Sequence, residues 1–165
     1  MRIEPAMRPA IAFGADYLQN RIDREIMLAK PMGVIVETAD ETALILRAPL
    51  APNANHKGTA FGGSLYSLAV LTGWAWITRF IASRELDAEA VIQESTMRFL
   101  APVQGEMRAS IQIPSESDVD KFQKMLARAE RGRIRLEVTM HHGAKLAAVF
   151  DGLFAAAMRR QERKK

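Results

Sequence analysis

Cysteine is absent from the 165 residues, which rules out disulfides and thiolate chemistry and fits a reducing compartment. The amino terminus, Met1-Arg2-Ile3-Glu4-Pro5, lacks the apolar run of a secretory signal, so a cytoplasmic protein is expected. There is no internal repeat, low-complexity tract or linker, and the length suits one domain with a substantial core. A P-loop lysine–serine pair is missing, and His141-His142 lie adjacent in a strand, where they face opposite sides and cannot share an ion. Neither metal nor cofactor is therefore expected.

Excess charge is also scarce once its position is considered. The net charge is +4, but the tail from Arg159 to Lys165 holds five bases and one acid, so the rest of the chain is neutral. A basic tail is a poor nucleic-acid footprint, and nucleic acid is not an expected partner.

What the chain does have is an uncharged stretch from Gly58 to Thr78. A polar loop punctuated by glycine, from Asn53 to Gly63, feeds a helix apolar on every side. Gly62, Gly63, Ser64, Ser67, Thr72 and Gly73 count against a membrane span, and the missing polar stripe counts against a partner helix. A helix buried all round is the reading that remains.

Around it, Leu18, Ile22 and Ile26 define an amphipathic helix over Gly14–Ala29, stopped by Pro31 and Gly33. Strands at Val34–Thr38 and Thr42–Leu50 form a hairpin. A strand over Glu89–Val103 is expected to turn at Gln104-Gly105 and pair with the run through Met107, Ala109, Ile111 and Ile113. Ser117-Asp118-Val119-Asp120 resembles a capping box opening a helix that ends before Gly132. Strands Arg133–Met140 and Lys145–Met158 make a third hairpin. An antiparallel sheet curling around one apolar helix satisfies that order, and the apolar face it leaves predicts a dimer or larger.

The helix start carries the chemistry. Unpaired N–H groups and a positive partial charge suit a carbonyl oxygen or oxyanion. Gly62 and Gly63 let a ligand approach the backbone, and Asn55 and His56 supply polar groups upstream. Each has a plainer reading: a tight turn for the glycines, a self-bonding turn residue for Asn55, a solvated loop side chain for His56.

The run Asn55-His56-Lys57-Gly58-Thr59-Ala60-Phe61-Gly62-Gly63-Ser64-Leu65-Tyr66, with Arg98-Phe99-Leu100-Ala101-Pro102-Val103 after the helix, resembles the hot-dog thioesterase superfamily. More narrowly, it resembles the family typified by the C-terminal domain of YiiD, over about Tyr17 to Met158. The resemblance implies an α+β hot-dog domain spanning 1–165, with an N-terminal extension over 1–13 and a basic tail over 159–165. It also implies a dimer or tetramer and acyl-CoA or acyl-carrier-protein thioesters as substrates. Asn55, Glu94, Gly63 and Ser64 are then the catalytic candidates. His56, Lys57, Gly58, Thr59, Phe61, Gly62, Tyr66 and Arg98 are the substrate-binding ones.

The wider phenylacetate-type pattern, Asn-x-x-Gly-x-x-His-Gly-Gly with an acid further along the helix, is matched at Asn55 and Gly58. Phe61 stands where its histidine would be and Val70 where its acid would be. Glu94 and Asp151 are replacement carboxylates, with Glu94 able to pair with Arg98 instead. Three functions follow: thioester hydrolysis with Glu94 as base, malonyl-thioester decarboxylation, which needs no carboxylate, and acyl binding without catalysis. Lys121, Lys124, Arg128, Arg131, Arg133 and Arg135 form either a docking face for an acidic carrier protein or a solvated surface.

Overall fold

A computed structural model describes residues 10–159. The uncharged stretch forms helix α3, Gly62–Ser83, and buries residues around its circumference, including Leu65, Leu68, Ala69, Leu71, Ala75, Ile77, Phe80 and Ile81. It has the length and composition of a membrane span, and 61% of its most apolar window is buried within the fold. Apolar side chains on every face need a surrounding wall, and a curved sheet provides it.

That sheet has six strands: β1 (Ile35–Ala39), β2 (Leu44–Ala48), β3 (Ala88–Phe99), β4 (Met107–Ile111), β5 (Arg131–His142) and β6 (Lys145–Met158). Their spatial order is β1-β2-β4-β5-β6-β3, antiparallel throughout. β5 shows why the sheet wraps the helix: Ile134, Leu136, Val138 and Met140 are buried, while Arg131, Arg133, Arg135 and Glu137 between them are exposed.

Three local expectations need correction. The strand after α3 does not make a hairpin with the next one. It ends at Phe99, lies at the sheet edge and pairs along its length with β6, while β4 inserts between β2 and β5. The reason is non-local, since the 14-residue β6 offers β3 a partner of its own length that the 5-residue β4 cannot. The amphipathic segment is also not one helix. α1 (Ala15–Glu25) stops, and α2 (Ala29–Met32) follows with Pro31 inside its first turn, where the missing N–H is an orphan anyway. Gly33 closes α2 in the left-handed region at φ 71°.

Finally, α4 (Glu116–Ala129) is capped by Ser115 rather than Ser117. Ser115 Oγ accepts from the Asp118 N–H at 3.1 Å and donates to Asp118 Oδ2 at 2.8 Å. Ser115→Ala should therefore lower the unfolding free energy by about 1 kcal/mol in urea titrations, and Ser117→Ala should change it by less than about 0.5 kcal/mol.

The expected extension and tail fall largely outside the described residues. Of the extension, Ala10–Phe13 forms one 3₁₀ turn.

One irregularity bears directly on function. In β3 the register shifts between Ile92 and Glu94. Ala88, Ala90 and Ile92 are the partly covered positions before the shift, and Ser95 and Met97 after it. Simple alternation would turn Glu94 toward α3. The bulge turns it to the outer face and sets Ser95 inward.

Candidate functional site

The loop before α3 is held from both ends. Asn53, 2% exposed, donates through Nδ2 to the carbonyls of Met32 and Pro49, both at 2.8 Å. Its own carbonyl accepts the Phe61 N–H at 2.8 Å. Asn55 then closes the loop on itself. Its Oδ1 accepts the Lys57 and Thr59 N–H groups at 2.8 and 3.2 Å, and its Nδ2 donates to Thr59 Oγ1 at 2.9 Å. His56, Lys57 and Gly58 form the exposed tip, with Gly58 at φ 72°. A carboxamide nitrogen has two protons, so the bond to Thr59 leaves one of Asn55's for another acceptor.

At the helix start Phe61 takes the N-cap position without a side-chain cap. Its carbonyl accepts from Ser64 at 2.9 Å and Leu65 at 3.0 Å. The Ser64 N–H is thereby used inside the protein. The N–H groups of Gly62 and Gly63 have no partner among the described residues, as the first N–H groups of an uncapped helix must. Two side-chain-free residues thus present two donors at the positive end of a 22-residue helix.

Aromatic rings flank them. A β-carbon at Gly63 would lie 2.5 Å from the Phe61 ring, and one at Gly62 would lie 3.5 Å from the Phe99 ring. Both rings are more than half exposed, at 57% and 56%. A groove of about 370 Å³ opens here, lined by Ala60, Gly62, Leu65, Phe99, Leu100 and Val103 among others. Asn55 does not line it. Its loop is joined to the Ala60 wall through the Ala54–Ala60 bridge, and Ala60 N–H is bonded to the Val103 carbonyl at 2.8 Å.

Tyr66, four residues beyond Gly62, lies on the same helical face. Its hydroxyl is 2.7 Å from Ser95 Oγ on the inner side of β3. Ser95 is the residue that alternation misses. The signal is the break in alternation where the apolar Ala90-Val91-Ile92 meets the polar run Gln93-Glu94-Ser95-Thr96, as a bulge interrupts the period of a strand.

The carboxylates are elsewhere. Glu94 and Asp151 both lie on the outer face, where Arg135 binds Glu94 at 3.0 Å and also Asp151. Those bonds, the one to Asp151 foremost, hold the Arg135 guanidinium above its usual pKa. The expected Glu94–Arg98 pair is replaced by this three-residue cluster, and Arg98 is exposed on the same face. So Gly62, Gly63, Ser64, Phe61, Tyr66 and Ser95 lie on the helix side of the sheet, and Glu94, Asp151 and Arg98 on the other.

The remaining basic residues group at the opposite end of α3. α4, with Lys121, Lys124 and Arg128, packs through Phe122 against Phe80 of α3 at 5.2 Å between ring centroids. Phe80 is roughly 27 Å from Gly62 at the rise of an α-helix. Arg131 and Arg133 continue this patch on β5.

Known proteins share this architecture. A crystal structure of a protein of unknown function from Chlorobaculum tepidum TLS superposes with a TM-score of 0.85 at 31% identity, over 88% of this chain and 94% of that one. For the PaaI protein of the E. coli phenylacetic acid degradation operon the TM-score is 0.60 at 19% identity, over 88% and 94% of the two chains, a likeness of fold alone. A leucine–tRNA ligase from Saccharophagus degradans is 34% identical over 110 residues. That match takes in 66% of this chain and 12% of the ligase.

The family model described as "Putative thioesterase (yiiD_Cterm)" matches residues 15–158. A Shewanella oneidensis structure carrying the thioesterase description has a TM-score of 0.78 at 28% identity, over 87% of this chain and 96% of that one. Since the matched stretch runs from the first turn of α1 to the end of β6, the chain belongs to the hot-dog thioesterase family typified by the YiiD C-terminal domain.

Proposed function

We propose that the protein acts on acyl thioesters by holding the thioester carbonyl oxygen on the Gly62 and Gly63 N–H groups, with acyl-CoA or an acyl carrier protein as the donor. The Asn55 loop, with His56, Lys57, Gly58 and Thr59, forms the rim against which the substrate's arm lies. The observation that carries this reading is the pair of unspent N–H groups at a helix start that no β-carbon shields. Negative charge develops on that oxygen in a tetrahedral intermediate and in an enolate alike, and fixed donors there stabilise both.

The choice between reactions turns on a base. Hydrolysis needs a group to activate water. Glu94 and Asp151 are held on the far face of the sheet by Arg135, and no Asp or Glu among the described residues lines the groove. Decarboxylation of a malonyl thioester needs donors at the oxygen and no base, so it is the reading this arrangement favours. Hydrolysis is the second reading, favoured by the description of the family and of the Shewanella relative.

The active form is a cytoplasmic homodimer or larger assembly. Among the described residues the outer edge of β3 has no strand beside it, and Val91, Phe99 and Leu100 are exposed along and after it. A second protomer there would cover the groove.

Incubation with malonyl- and medium-chain acyl-carrier protein, following free thiol and carrier mass together, separates the readings. Loss of one carbon dioxide with the thioester intact is the expected result. Thiol release marks hydrolysis, and neither change marks binding alone. Asn55→Ala should lower kcat/KM about 10²-fold, because it removes the bonds to Lys57 and Thr59 that close the loop forming the substrate's rim. Glu94→Gln should leave decarboxylation unchanged, and a collapse in that variant would return Glu94 to the site.

A further inference from the structure

We propose that the Tyr66–Ser95 hydroxyl pair is the proton donor of the reaction, Tyr66 delivering a proton to the carbon left behind by carbon dioxide. The assignment rests on the decarboxylation reading and names a group that reading leaves open, since the enolate must still be protonated.

Three observations converge on this pair. The bulge between Ile92 and Glu94 exchanges a carboxylate for a hydroxyl on the face turned toward α3. Ser95 is thereby the single polar side chain on that face of β3, which otherwise carries Ala88, Ala90, Ile92 and Met97. Next, α3 commits its other bonded hydroxyls to its own backbone. Ser67 donates to the Gly63 carbonyl, Thr72 to Leu68 and Ser83 to Phe80. Tyr66 reaches off the helix, to Ser95. Finally, Tyr66 is one helical turn from the two N–H donors and on their face, its ring held edge-on by Phe150 at 5.8 Å between centroids.

Two hydroxyls carry two protons, and the bond between them uses one. The other is available to a ligand. Tyr66 is 38% exposed, so it can be reprotonated from water. The step balances as follows. The bond between the malonyl carboxylate carbon and C2 breaks, and its electron pair moves onto the thioester oxygen at Gly62 and Gly63. As that pair returns to C2, the carbon takes the Tyr66 proton and an acetyl thioester results. The tyrosinate regains a proton from water, directly or through Ser95. A phenol O–H is a far stronger acid than the C–H bond formed at C2, so transfer is downhill.

The test is acetyl-thioester formation from malonyl-carrier protein by wild type, Tyr66→Phe and Ser95→Ala, each with its melting temperature. Tyr66→Phe should lower kcat about 10²-fold with KM and melting temperature near wild type. Ser95→Ala should lower kcat about tenfold. In equal parts light and heavy water, the deuterium content of the acetyl methyl group should shift in Tyr66→Phe, because the proton then comes from a different donor. A structural tie would not move that ratio. If wild type makes acetyl thioester and Tyr66→Phe matches its kcat and isotope content, the donor assignment falls while the decarboxylation reading stands. If wild type leaves malonyl-carrier protein intact, both fall.

Discussion

Alanine at Gly63 should cut thioester turnover about 10²-fold while leaving the melting temperature unchanged or slightly raised. The two halves of that result have separate causes. The added β-carbon would lie 2.5 Å from the Phe61 ring, so one of them must move. Phe61 is exposed and can swing away at little cost. Alanine inside a helix is worth roughly 0.5–1 kcal/mol over glycine, which offsets the displacement. The donors meanwhile are crowded further, because a methyl group is added where the Phe61 ring already lies against Gly63. Gly62→Ala meets Phe99 at an ordinary 3.5 Å and should cost only about tenfold. Steady-state kinetics beside calorimetry checks both, and full activity in Gly63→Ala would show that the approach is not used.

The largest stability effect should come where α3 is seated in the sheet. A β-carbon at Gly73 would lie 2.4 Å from the Phe154 ring, and one at Gly152 would lie 2.6 Å from Phe150 and 3.0 Å from Phe154. Phe154 is wholly buried, so unlike Phe61 it has nowhere to go. Gly73→Ala should destabilise the protein by about 1–3 kcal/mol despite alanine's better helix propensity. Phe154→Ala should cost about 3–5 kcal/mol by leaving a cavity. Combining Gly73→Ala with Phe154→Leu should recover part of the loss, with a coupling of about 0.5–3 kcal/mol. Urea titration of Gly73→Ala, Phe154→Leu and the double variant measures this coupling, and strict additivity would mean the two residues do not set the helix depth together.

These cases also show what the chain discloses without coordinates. The uncharged run located α3, and the alternation of Ile134, Leu136, Val138 and Met140 gave β5 its inward face, because burial on a regular element imposes a period. What misled was irregular or distant. The bulge at Ile92–Glu94 reversed the face of Glu94, and no period reports a reversal midway along a strand. β3 found its partner in β6, with paired residues such as Phe99 and Ala148 or Ala88 and Met158 far apart in sequence and β4 between them. Ser115 outcompeted Ser117 as cap by its spacing to Asp118. The Asn55 loop was legible as a polar turn, but not that Asn55 spends both Oδ1 bonds and one Nδ2 proton closing it.

The central claim is that a thioester oxygen sits on two backbone amides at the head of α3. The most direct measurement follows the ¹⁵N–¹H resonances of Gly62 and Gly63 as a non-reactive thioester mimic, with a ketone in place of the thioester, is titrated into the protein. Marked downfield proton shifts at these two amides, saturating with the ligand, are the predicted result. Saturable binding that leaves both amides unmoved while others shift would contradict it.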